Sequence, residues 1–572
     1  MKLFKNQIAE STSNVVSASF PGTQLSSNEI LDLLEYPSDT SMGDIALPCF
    51  KLSKILRRSP VQIAMTLAEG FNGCDAIKAE AVNGYLNFKI DSNVLANETL
   101  NEVFAKGEKY GSPENGHGKT VVLDYSSPNV AKPFHIGHLG TTVIGHSLKK
   151  LHEFAGYNCI GINHLGDWGT QFGKLIVAYR LWGSREDIEN GGIDKLVELY
   201  VKFHAEAENN PALNDEARAE FTKLEHHDPE NIELWKWFIK ISLEEYEKTY
   251  AQLGIEFDSY NGESFYTDKM PAQVQKLRES GIMKIDDGAS IVDLSEYNMP
   301  PCLILKRDGS TLYPTRDIAA AVYRKNEYNF DKCIYVTSAG QSLHFAQWFK
   351  VVELMGYDWS DKLVHVPYGT VSINGAKLAT RTGNVILLKD LFAQAIEKVY
   401  QITGEKNPDM PEDKKNEIAE KVGVGARVFY YLSNNRIKDI NFMLEDALSY
   451  DGNTGPYVQY TYARTCSVMT KAAHVKYDGN YKASTPEEHE LLRVISIFPE
   501  RIEAAIENYE PFYITRYILD LAAAFNRFYH NCGILTESDP EVVSTRVALT
   551  AATKSILGTA FELICLKKTE QI

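Results

Sequence analysis

The stretch from Thr120 to Asn163 constrains the fold more than any other part of this 572-residue chain. "TVVLDY" (120–125) is a short β-branched run, and a polar loop, 126–134, follows it. From Gly137 onward, Leu139, Val143, Leu148, Leu151 and Phe154 recur at helical spacing. "AGYN" then breaks the pattern, and "CIGIN" (159–163) reads as a second buried strand. Strand, loop, helix, strand is a βαβ unit, which demands a parallel sheet and a right-handed crossover. Ligands of such sheets bind at the carboxyl ends of the strands. His135 and His138 of "FHIGH" fall at that mouth, where the helix begins.

A chain of this length cannot close around one core, so several domains are expected. Residues 1–116 mix helical patterns with a strand in "NGYLNFKI" and end in the turn-rich "KYGSPENGHGK". An α/β domain is expected over 117–390, with later strands in "KCIYVTS" (332–338), "LVHVPYG" (363–369) and "NVILL" (384–388). A charged helical insertion at about 185–260 splits it, and 391–572 reads as all helix. The eight cysteines are scattered with no CxxC pair, so reduced buried thiols are expected and a zinc ribbon is not. "MKLFKNQIAESTSN" has no apolar signal core, and no apolar run would span a bilayer, so a cytoplasmic protein without membrane partners is expected. The net charge of −17 argues against a globally basic nucleic-acid surface but leaves local patches open.

Two histidines three apart can share a helical face. A catalytic zinc would need a third protein ligand, and the spacing supplies none. A packed core histidine is the plainer alternative. Yet the setting, a proline-containing loop leading into a helix at a sheet mouth, favours an anion: free N–H groups and the helix dipole gather there. Imidazoles can add hydrogen bonds to phosphate oxygens, most usefully where charge grows during reaction. Gly137 between them lets a flat ring approach the backbone.

"FHIGH" resembles the HIGH motif of class I aminoacyl-tRNA synthetases. The longer run "SSPNVAKPFHIGHLGTTVIGHSL" is similar to arginyl-tRNA synthetases, as are "INHLGDWGTQFGKL" (162–175), "LYPTRDIAAA" (312–321) and "DALSYDGNTGPYVQYTYAR" (446–464). "MGDIALPCFKLSKILRRSP" (42–60) resembles the family's N-terminal domain more loosely. The resemblance implies a Rossmann-type catalytic core with a helical insertion, a small α+β N-terminal domain that contacts tRNA, and an all-helical anticodon-binding domain. It implies a ligase that activates L-arginine with ATP and Mg²⁺, and passes arginine to the terminal adenosine of tRNA(Arg), with AMP and pyrophosphate released. A monomer is expected.

The same resemblance assigns His135, Gly137 and His138 to ATP, with the histidines stabilising the transition state. The second class I motif matches "KLATRTGN" imperfectly: Lys377 and Arg381 serve ATP, but Thr380 replaces the second lysine. Lys132, just before the first motif, is then expected to supply the missing positive charge near pyrophosphate. Gly140 also departs, since many relatives carry arginine there. Arginine itself falls to Asp317 and Tyr313, with Asn129, Asp124 and Gln341 around it. A guanidinium calls for a carboxylate, ideally bidentate. Tyr457, Tyr460 and Arg464, on one helical face, are expected to stack on unpaired bases of tRNA. Tyr85 and Phe88 are weaker candidates for the tRNA elbow. Helix capping by Asp317 and helix packing by the tyrosines are the structural alternatives. Three rival functions stand beside this reading: another class I synthetase, a non-catalytic tRNA-binding relative favoured by Thr380, and a zinc hydrolase.

Overall fold

A computed structural model describes residues 1–37, 39–373, 376–377, 386–442, 448–449, 452–477 and 479–572, with 373, 376 and 377 described in backbone only. At its centre is a four-stranded parallel sheet. Thr120–Asp124 lies between Asn158–Ile162 and Lys332–Ser338, and Leu363–Tyr368 flanks the latter. The expected βαβ unit is its first half, joined by the helix Ile136–Phe154.

Alternation along each strand sorts side chains onto two faces. Val121, Leu123, Ile334, Val336 and Val366 share a core with Ile136, Leu139 and Val143 of the crossover helix. Val122, Ile162, Cys333, Tyr335 and Leu363 share another with Ile318 and Ala321 of helix Tyr313–Tyr328, and with Phe345 and Trp348 of helix Ser342–Leu354. The chain leaves the two central strands toward opposite flanks of the sheet, so a crevice opens where their carboxyl ends diverge.

Between the halves, helices Thr170–Trp182, Arg185–Asn209, Ala212–Glu225 and Pro229–Leu253 close their own core around Phe172, Leu196, Phe203, Leu224 and Phe238. The packing unit thus begins before residue 185. A three-stranded antiparallel sheet, Met283–Asp286, Ala289–Val292 and Cys302–Leu305, follows; its short strands carry no clear alternation in the sequence. "NVILL" differs from expectation in its described part. Leu387 makes a single antiparallel bridge to His135, and a helix, Leu388–Lys406, starts at once.

The N-terminal part builds a sheet ordered Ile45–Pro48, Tyr85–Ile90, Ile77–Val82. It rests on the C-terminal helices through Asp44–His489 at 2.7 Å and Lys5–Glu500 at 2.8 Å. Phe88 is fully buried there, so it packs the domain and cannot reach a tRNA; Tyr85 lies edge-on to the exposed Phe50. After Leu388–Lys406 come Glu412–Leu432, Gly455–Lys471, Pro486–Glu507, Phe512–Asn531 and Pro540–Leu563. Gly140 now has a reason. The hydroxyl of buried Tyr431, from helix Glu412–Leu432, occupies the space a Cβ at 140 would need.

Candidate active site

The loop before the crossover helix is wound tightly. Ser126, Ser127 and Ala131 all have positive φ, at 71°, 46° and 58°, a conformation that costs energy in non-glycine residues and persists only where neighbours impose it. The neighbours come from the inserted helix Pro229–Leu253. Ser242 accepts from the Ala131 N–H at 3.0 Å, Tyr246 donates its hydroxyl to the Asn129 and Lys132 carbonyls at 2.8 and 2.7 Å, and Tyr250 meets the Ser126 hydroxyl at 2.8 Å. The insertion is therefore a clamp on the site. Sequence reasoning missed this, because Ser242, Tyr246 and Tyr250 look like ordinary amphipathic positions, although their i, i+4, i+8 spacing marks one stripe.

The histidines cap the helix. The Gly137 N–H donates to His135 Nδ1 at 3.1 Å, and the His135 N–H donates to His138 Nδ1 at 3.2 Å. Each ring thus spends its Nδ1 as an acceptor, which fixes the neutral tautomer with the proton on Nε2. Burial, then the charge of Lys132, pushes His135 below the ordinary range; burial, then His135 and Lys132, pushes His138 down to about 3. Among the described residues neither Nε2 has a protein partner. The pair presents two neutral N–H donors beside the half-buried Lys132, whose pKa burial lowers against the pull of Glu263. The Ile136 N–H donates to the Ile386 carbonyl and the Leu388 N–H to that of Phe134, so the chain emerging from "KLATRTGN" is laid against the first motif. Lys377 pairs by backbone with Ser372; its side chain, Thr380 and Arg381 lie outside the described residues.

A second cluster gathers at the same sheet end around His164, which feels Asp124, Arg324, Asp317 and Asp167. Asp124 is not an empty acceptor. Arg324, 1% exposed, binds its Oδ2 at 2.8 Å, and the Ser127 hydroxyl binds its Oδ1 at 2.9 Å. Asp167 accepts from the Ser264 N–H and hydroxyl at 2.8 and 2.6 Å. Glu263 pairs with Arg316 at 2.6 Å, yet burial, with Asp167 and Asp317 nearby, pushes it up to about 7. Asp317 alone among these four carboxylates is bonded to a histidine: His344 Nε2, at 2.6 Å. Its side chain is 27% exposed. Tyr313 stands one turn before it, 67% exposed, and Gln341 and Asn129 are exposed at the same rim of loops. Glu263 acts electrostatically on both Lys132 and Asp317, which joins the two clusters. Arg324 is seven residues beyond Asp317, two turns along one helix face, so spacing could have found it.

The three aromatic-face candidates are assembled as expected and enlarged. The Arg464 guanidinium lies 5.0 Å over the Tyr460 ring and 4.7 Å over that of Tyr529. Asn526 ties the patch together, bonding Arg464, and donating to the Tyr457 hydroxyl and to Thr461 at 3.0 Å each. Tyr460 and Tyr529 are exposed, whereas Tyr457 is half-buried.

Comparison with known proteins gives the same answer. Residues 99–444 match the family described as "tRNA synthetases class I (R), catalytic domain", residues 458–572 the "DALR anticodon binding domain" and residues 2–90 the "Arginyl tRNA synthetase N terminal domain". The chain belongs to the class I aminoacyl-tRNA synthetases, in their arginyl family. It is 50% identical over 557 residues to the arginine–tRNA ligase of Alkaliphilus metalliredigens, covering 96% of this chain and 98% of that one. It is likewise 50% identical over 551 residues to that of Clostridioides difficile, covering 96% and 97%. The Thermus thermophilus arginyl-tRNA synthetase structure superposes with a TM-score of 0.81 at 23% identity, over 99% of this chain and 100% of that one. The Plasmodium falciparum enzyme gives 0.81 at 24%, over 100% and 99%.

Proposed function

We propose that this chain is an arginine–tRNA ligase whose two clusters divide the work. The arginine carboxylate attacks the α-phosphate of ATP, pyrophosphate leaves, and the arginyl group passes to the terminal adenosine of tRNA(Arg). Negative charge gathers on phosphate oxygens as the α-phosphate is attacked. Neutral N–H donors held in place by backbone stabilise it without reorganising, and Lys132 adds positive charge toward the leaving pyrophosphate. Lys377 and Arg381 are assigned to the same nucleotide. Asp317, with Tyr313, receives the guanidinium, and Asn129 and Gln341 hold polar groups of the amino acid. Asp124 acts at one remove, through Arg324 and His164.

The observation that carries this reading is the pair of Nδ1 acceptors, which leaves both histidines as Nε2–H donors at a helix start. Mg²⁺ enters as part of the nucleotide: no group of three or more His, Cys, Asp or Glu among the described residues is placed to hold an ion. Tyr460, Arg464 and Tyr457 form the tRNA face, with Asn526 and Tyr529. No helix among the described residues is long and apolar enough to cross a membrane, and we assign the enzyme to the cytoplasm as a monomer. The test is ATP–pyrophosphate exchange with each amino acid, with and without tRNA(Arg). Exchange with arginine alone supports the reading. Exchange with another amino acid discards the pocket, and none with folded protein discards catalysis.

A further inference from the structure

Asp317 carries a protein partner of its own. A carboxylate meant for a guanidinium already holds a partner, and that partner is a histidine. We infer that His344 is a positioning residue for arginine specificity: it pins one oxygen of Asp317, leaves the other for the guanidinium, and competes with arginine when its ring is protonated. This rests on the assignment of Asp317 to arginine.

The geometry supports each part. His344 sits in the first turn of helix Ser342–Leu354, and its Nε2 bonds Asp317 Oδ2, not both oxygens. A planar fork needs its acceptor fixed in orientation, or each encounter loses side-chain entropy. The Phe345 ring stands edge-on to His344 at 5.5 Å and steadies it. Both side chains are 27% exposed, so a substrate can reach the bond. The other three carboxylates of the cluster are held by groups that never lose their hold: two guanidiniums, and a backbone N–H with a hydroxyl. Only at Asp317 does the counter-group switch between a neutral donor and a cation.

The surrounding charges do not duplicate the switch. From the strand Leu363–Tyr368, His365 faces His344, but burial and Arg436 push it down to about 4, so it is neutral near pH 7. From the strand Cys302–Leu305, burial and Asp317 push the Cys302 thiol up to about 12. The turn Ser360–Lys362, packed on the same helix, adds Asp361 and Lys362, one of each sign. Glu263 titrates near 7 in the same cluster, and its effect is common to any variant at 344. By linkage, a proton that arginine must displace from His344 weakens arginine as pH falls.

The experiment is steady-state aminoacylation of tRNA(Arg) by the full chain at pH 6, 7 and 8, with wild type, His344→Gln, His344→Ala and Asp317→Asn. Gln keeps an N–H donor near the Nε2 position and cannot be protonated. At pH 8, His344→Ala raises KM for arginine about tenfold, with kcat and KM for ATP within about twofold, and His344→Gln restores it. From pH 8 to 6 the wild-type KM for arginine rises about tenfold more than that of His344→Gln. A wild-type pH profile in His344→Gln overturns the competition. An unchanged KM in His344→Ala overturns the positioning; should that variant fail to fold, a His344→Gln KM for arginine more than tenfold above wild type at pH 8 does so instead. If Asp317→Asn leaves KM for arginine unchanged, the assignment of Asp317 falls, which is separable from the other outcomes.

Discussion

The two ends of the crevice hold their functional groups in opposite ways. At the end we assign to the nucleotide the histidines are pinned by main-chain N–H groups, and a clamp of side chains from the inserted helix pins the main chain in turn. At the end we assign to arginine, Asp124, Glu263 and Asp317 are each pinned by another side chain, and Asp167 by the N–H and hydroxyl of Ser264. Backbone restraint suits a group that must meet a short-lived charge without rearranging. Side-chain restraint suits a group that must exchange one partner for a substrate. The nucleotide end is built to stay, and the arginine end to trade.

Four measurements would break or sharpen that contrast. The largest effect belongs to Asp317→Ala, which removes the traded charge. kcat/KM for arginine should fall by about 10³, with KM for ATP changed less than about threefold. Equal losses for both substrates would erase the division between the ends. His138→Ala should lower kcat by about 10² with KM for arginine kept, because its donor matters most in the transition state. A pure KM effect would mean that it binds the ground state. Next comes Tyr460→Ala on the remote face, with KM for tRNA raised about tenfold while arginine-dependent exchange, with tRNA saturating, is unchanged. Smallest is Tyr246→Phe, which deletes one hydroxyl that serves two carbonyls. Stability should drop by about 1 kcal/mol, and kcat should fall more than that loss explains if the loop shape is what the clamp maintains.

Acid should strain the body of the crossover helix. His146 and His152 lie buried on the same helix as His138, held down to about 3 and 4 by burial. Their folded pKa values are below the unfolded value, so the unfolded chain binds protons first as pH falls through 6.5. Stability is full above that pH and declines from there toward pH 3. Each costs about 2 kcal/mol by pH 5, read as a falling melting temperature between pH 7 and 5.

Much of this was legible in the sequence. The βαβ unit followed from "TVVLDY", one apolar helical stripe and "CIGIN", because period and length specify a strand or a helix locally. The histidines followed from their place at the helix start. What could not be read were partners separated by long stretches of chain. Nothing local says that Arg324 belongs to Asp124, that His344 belongs to Asp317, or that Tyr246 reaches back to residues 129 and 132. That Arg324 and Ser127 already occupy Asp124 was hidden for that reason. Phe88 alternates with Tyr85 in a strand whose inner face the sequence did not identify.

Gly140 carries a consequence for anyone recombining this chain with a relative. The hydroxyl of Tyr431 fills the space beside it, so the helix that follows the two histidines and the helix from the C-terminal half are fitted to one another there. A hybrid that takes one helix from this chain and the other from a protein with a long side chain at that position joins two surfaces cut for different partners. The two helices should be exchanged as a pair.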